Sequence, residues 1–125
     1  MAQFPLRMNN GNMGKLGTRK LSPREYRIVQ HFKLSLLEIT PFKRLVVFDS
    51  RARGDATPDS DLDIFIEVPV LDAALRRQIS RIAWEVSLDE RVLISTFVIT
   101  TTAINESPLG ANPILRTIAN EGIAV

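Results

Sequence analysis

Cysteine is absent from this chain of 125 residues, and histidine, tryptophan and tyrosine occur once each. Without cysteine there is no disulfide, no thiolate zinc site and no cysteine nucleophile. The lone His31 falls within a predicted helix, where it reads as a structural or solvent-facing residue, so a Ser/His/Asp hydrolase arrangement has no support. Long apolar runs are also missing. The longest, residues 45–48 and 92–99, fall far short of the roughly 20 residues that a membrane-spanning helix needs, and the N-terminus has no apolar signal core. These absences lead us to expect a soluble, cytoplasmic protein.

The chain is 45% hydrophobic and long enough for one domain with one core. Its net charge is +2, but residues 1–20 carry Arg7, Lys15, Arg19 and Lys20 with no acid, a contribution of +4; the remainder is therefore at +2 minus +4, or −2. A basic tail on a mildly acidic body argues against nucleic acid as the main partner. The tail has no apolar periodicity and several glycines and asparagines, so residues 1–20 are expected to be disordered and residues 21–125 to form the domain.

Order is predicted to begin at Ser22. Serine as N-cap, Pro23 at the first helical position and Glu25 three residues after the serine make a capping box. Ile28, Phe32, Leu36 and Ile39 then form one apolar stripe, with Pro41 as the stop. Strands are predicted over residues 43–48, 61–68 and 92–99. A second amphipathic helix should span residues 72–88 with Leu75, Ile79, Ile82, Ala83 and Val86 inward, while Trp84 falls off that stripe and is expected at the rim of the core. Asp89 and Glu90 read as solvated turn residues. Residues 100–111 read as a loop, and a short last helix starts at Asn112-Pro113, with Gly122 at its C-terminal cap.

The most informative stretch lies between the first two strands. An apolar strand ends in Asp49-Ser50, ten residues of polar turn follow, and Asp61-Leu62-Asp63 enters the next apolar strand. Side chains two apart in a strand share a face, so Asp61 and Asp63 present two carboxylates together. Like charges held this close call for a cation between them, and Mg²⁺, bound by one or two carboxylates together with substrate phosphates, suits them. Haloacid dehalogenase phosphatases also use Asp-x-Asp, but at the C-terminal end of a strand; here the pair opens the strand.

The string Ser50-Arg51-Ala52-Arg53-Gly54-Asp55-Ala56-Thr57-Pro58-Asp59-Ser60-Asp61-Leu62-Asp63 resembles the minimal nucleotidyltransferases of the DNA polymerase beta-like superfamily, whose pattern is Gly-Ser, about ten residues, Asp-x-Asp. The resemblance extends more loosely from Leu21 onward. It implies an α+β fold, a small mixed sheet with helices packed on one side and the Ser and Asp residues at one edge. It further implies Mg²⁺-dependent transfer of a nucleoside monophosphate, AMP from ATP, to a hydroxyl. In that reading Asp61 and Asp63 are the catalytic metal ligands and Ser50 contacts the phosphates. Arg51 and Arg53 either neutralise phosphate or sit solvated on the turn.

The chain departs from the family pattern twice. Asp49 stands where the family has glycine, adding bulk and negative charge beside the phosphates; it either weakens nucleotide binding or serves as an additional metal ligand. A third carboxylate belongs on the following strand, but residues 92–99 hold none; its place falls on Leu93, with Ser95 next. Small members of the family are paired with helical HEPN-type proteins in toxin–antitoxin modules, so the resemblance implies such a partner or a homo-oligomer. It also leaves open a catalytically weakened binding module that masks that partner.

Overall fold

The computed structural model describes residues 21–48, 62–106 and 113–125. The element order is α1 (Pro23–Leu37), β1 (Arg44–Phe48), β2 (Leu62–Val68), α2 (Ala73–Glu90), β3 (Ile94–Thr100), α3 (Thr101–Glu106), α4 (Pro113–Glu121) and β4 (Ile123–Ala124). The strands form one mixed sheet in the order β3-β2-β1-β4. β1 runs antiparallel to both β2 and β4, whereas β2 and β3 are parallel, joined by the α2 crossover. The expected α+β class with a small mixed sheet is observed.

Local chemistry explains where the elements start. The Ser22 hydroxyl accepts from the Glu25 amide at 3.0 Å and the Glu25 carboxylate accepts from the Ser22 amide at 2.9 Å, completing the capping box of α1. Asp72 caps α2 by accepting from the Leu75 amide at 2.7 Å. At its other end, Arg91 adopts a left-handed conformation (φ 58°) that turns the chain toward β3.

Strand alternation divides the core in two. Leu45, Val47, Leu62, Ile64, Ile66, Val68 and Ile94 face α1 and α2, where they meet Ile28, Phe32, Leu36, Ile79 and Val86. Val46 and Phe65 point to the opposite face and pack with Ile104 of α3 and Leu115 and Ile118 of α4. The two long helices thus lie on one side, as expected, and the two short ones add a cover on the other side that the sequence had not suggested.

Two local expectations need correction, and a third gains a reason. Residues 100–111 are not all loop: the Thr100 hydroxyl accepts from the Ala103 amide at 3.1 Å and starts α3. Gly122 does end α4, its amide donating to the Ile118 carbonyl at 3.0 Å, but it is needed for close approach. A Cβ there would run into the Val46 side chain and the Ile118 carbonyl. Trp84 is not at the rim of the core; it is 63% exposed on the outer side of α2.

Candidate functional site

Of the residues expected in the site, Asp63 lies among the described ones; Asp49, Ser50, Arg51, Arg53 and Asp61 lie outside them. The basic tail, residues 1–20, is outside as well.

Asp63 is the second residue of β2 and is half-buried. Its neighbours across the sheet are Phe48, the last residue of β1, and Ser95 of β3. The register with β3 is built from the α2–β3 turn. Ser87 near the end of α2 donates from its hydroxyl to the Ala83 carbonyl at 2.6 Å and accepts from the Ile94 amide at 2.9 Å. Its own carbonyl accepts from the Val92 amide at 3.2 Å, and the Leu93 carbonyl accepts from the Leu62 amide at 2.8 Å. One buried serine therefore sets where β3 begins, and with it which β3 side chain stands level with Asp63. The sequence reading missed Ser87, because a serine on the inner side of an amphipathic helix signals nothing without its partner.

That register also separates Leu93 from Ser95, the two positions expected for the third carboxylate. Leu93 precedes β3 and is 58% exposed. The strand residue level with Asp63 is Ser95, which carries a hydroxyl. Among the described residues, no three His, Cys, Asp or Glu side chains cluster as a metal-binding group.

Further along the same face of β2 come Phe65 and Glu67. Phe65 stacks against its register partner Phe97 with ring centroids 5.9 Å apart and planes tilted by 30°, giving Asp63 an apolar neighbour on its own face. Glu67 is 3% exposed. Its Oε2 accepts from the Thr101 hydroxyl at 2.7 Å, tying β2 to α3. Its Oε1 lies 3.4 Å from Nε of Arg44, the residue opposite on β1. The geometry there gives an ion pair without a formed hydrogen bond, so among the described residues Oε1 is buried with none. Two same-face steps separate Glu67 from Asp63, about 13 Å of strand, too far for a shared cation.

Glu90 also departs from expectation. It is the last residue of α2, with its side chain only 12% exposed, and it joins α2 to α1. His31 Nδ1 lies 2.9 Å from one carboxylate oxygen and Arg27 donates to the other at 2.8 Å, while Arg24 donates to the Glu90 carbonyl at 2.7 Å. The hydrogen bond with His31, then that with Arg27, hold the Glu90 carboxyl below the usual carboxylate range. His31 is thus a structural residue, and Glu90 is a tether between helices, not a solvated turn residue.

No helix among the described residues is long and apolar enough to cross a membrane. Comparison with curated proteins returns no significant match. The family profile described as the nucleotidyltransferase domain does match, over residues 29–125. That span takes in all four strands, including β2 with Asp63 and β3 with Ser95, and on it the chain belongs to the nucleotidyltransferase domain family.

Proposed function

We propose that this chain transfers a nucleoside monophosphate, AMP from ATP, to a hydroxyl of a partner protein or other acceptor in a Mg²⁺-dependent reaction. The observation that carries the reading is Asp63, half-buried near the start of β2, on the sheet face away from the two long helices and level with Ser95. Carboxylate and hydroxyl are hard oxygen donors, and such a set suits Mg²⁺ with substrate phosphates completing the shell. Asp61 and Asp63 would hold the ion, which when bound neutralises triphosphate charge and polarises the reacting phosphoryl group.

The chain's own residues would supply position and charge. Asp63 is held by ladders on both sides, so its carboxylate is oriented before substrate arrives and little reorganisation is needed during the reaction. Ser50 would donate to the phosphates, with Arg51 and Arg53 offsetting their charge. The acceptor oxygen bonds to the α-phosphorus, the bond from that phosphorus to the β-bridging oxygen breaks, pyrophosphate leaves and the acceptor proton passes to solvent. Asp49 beside the phosphates lowers affinity for the triphosphate or adds a ligand to the metal.

A second reading is favoured by Ser95, a neutral group level with Asp63. One anionic ligand fewer weakens the metal site, leaving a binding module that masks a helical HEPN-type partner. Two measurements separate the readings. Mg-ATP should raise the melting temperature of the purified chain, and α-labelled ATP should label an acceptor in a mixture containing candidate partners. With neither shift nor label the transferase reading is lost. Ser95→Asp should increase the Mg-ATP shift if the position faces the metal; an unchanged shift removes Ser95 from the site.

A further inference from the structure

Helix α2 has two functional sides. Ile79, Ile82, Ala83 and Val86 are buried against the sheet and α1. On the outer side, Arg77, Arg81, Trp84 and Leu88 follow one another at spacings of four, three and four residues, so they form one stripe. All four are exposed, Trp84 at 63% and Leu88 at 59%. Beside the stripe is an open depression of about 660 Å³ lined by Ala73, Arg76, Arg77, Ser80, Arg81 and Trp84. It runs along about 16 Å of helix at 1.5 Å per residue. Among the described residues, no carboxylate forms an ion pair with Arg76, Arg77 or Arg81, although Glu85 is one turn from Arg81. Neither the fold nor a neighbouring acid accounts for this concentration of arginine beside an exposed indole.

The geometry points to this face of α2 as a docking surface for an acidic segment of a protein partner, whose carboxylates pair with Arg76, Arg77 and Arg81 while an apolar side chain seats against Trp84 and Leu88. Arginine and tryptophan are the residues that most often carry interface energy, arginine through bidentate pairing with carboxylate. The extent of the patch selects the partner class. A nucleic acid strand would run beyond these three cations onto a body whose residues 21–125 sum to −2. A short acidic segment ends where the positive charge ends. The chain's own residues 1–20 are excluded as occupant by their charge of +4. This surface lies on the helix face turned away from the sheet, so the inference stands apart from the nucleotidyl-transfer reading.

Trp84 is the sole tryptophan, so its emission reports directly on the patch. A synthetic peptide rich in Glu and Asp with a single leucine, titrated into the full chain at low salt, should give a saturable blue shift that weakens as salt is added. The same peptide with Gln and Asn replacing the acids should leave the emission unchanged. Arg77→Glu with Arg81→Glu should lower affinity for the acidic peptide by about tenfold or more, and Arg77→Gln with Arg81→Gln by less, both with the parent's melting temperature. Three outcomes would overturn the proposal: no shift with the acidic peptide; equal binding by the charge-reversed variant; or a response to single-stranded oligothymidylate and not to the peptide, which would assign the face to nucleic acid.

Discussion

The two faces of β2 carry different kinds of residue. On one side Leu62, Ile64, Ile66 and Val68 are apolar and fully buried under α1 and α2. On the other the order is Asp63, Phe65, Glu67: one apolar residue between two acids, beneath short helices. Burial on the first face is cooperative, since each side chain displaces water and completes its neighbours' packing. On the second face, polar groups cost stability unless each finds a partner. On the proposed reading, Ile64 serves only the core under the long helices while Asp63, on the other face, serves the chemistry, so substitutions at these two adjacent residues should give opposite phenotypes.

The largest effect that tests this contrast is on activity. Asp63→Asn should lower label transfer from α-labelled ATP by about 10²–10³-fold, as for loss of a preorganised charged group at a reacting centre, while changing stability by no more than about 1 kcal/mol. A variant that unfolds instead would show that Asp63 belongs to the structural face. The neighbouring residue should behave in the converse way. Ile64→Ala empties a fully buried site and should cost about 2–5 kcal/mol in chemical denaturation, with the Mg-ATP affinity of the remaining folded fraction unchanged.

Glu67 sharpens the contrast, because it is an acid on the same face as Asp63 and yet does structural duty. Glu67→Ala removes the acceptor for Thr101 and leaves Arg44 without its buried carboxylate, for a loss of about 2 kcal/mol. Arg44 is 34% exposed, and solvent screening keeps the loss from being larger. Glu67→Gln retains an acceptor for Thr101 and should recover part of it; full stability in the alanine variant would mean that the buried acid serves something other than the fold.

The smallest effect lies away from both faces. Glu90→Gln should cost about 0.5–1 kcal/mol, since one partner, Arg27, is 61% exposed and screened. Because the Glu90 carboxyl is held below its ordinary value in the folded state, its contribution is complete above the ordinary carboxylate range. It is lost as pH falls through the lowered pKa. The difference in melting temperature between parent and variant should therefore shrink on acidification; a difference that grew would reverse the assigned direction of the shift.

How much of this was legible beforehand depended on the range of the interactions involved. Ser22 and Glu25 announced α1 because their hydrogen bonds span three residues. The buried stripes of α1 and α2 and the apolar series at residues 62, 64, 66 and 68 were visible for the same reason: the period of a single element writes itself into its sequence. The spacing from Ser50 to Asp61 and Asp63 pointed to the family that the profile over residues 29–125 then showed. That Trp84 lies off the apolar stripe was visible, but the expected packing at the rim of the core was not met, since whether a neighbouring element covers a side chain is not a local question.

By itself, then, the sequence determined the two long helices, the first three strands, the capping box of α1, the apolar face of each long helix and the pair of aspartates entering β2, but neither the short helix after β3 nor the fourth strand. Only the tertiary structure decided that Ser95 and not Leu93 stands level with Asp63. The reason is that the register is set by a hydrogen bond from Leu62 to Leu93 and by the hold of Ser87 on Ile94, between residues that no periodicity relates. It likewise decided that Glu67 is buried between Arg44 and Thr101, that Glu90 ties two helices together, and that Gly122 brings α4 against β1 so that Ile123–Ala124 can extend the sheet. Each of these rests on a group meeting a partner distant in the chain, and burial and partnership are properties of the assembled fold, which local propensity does not encode.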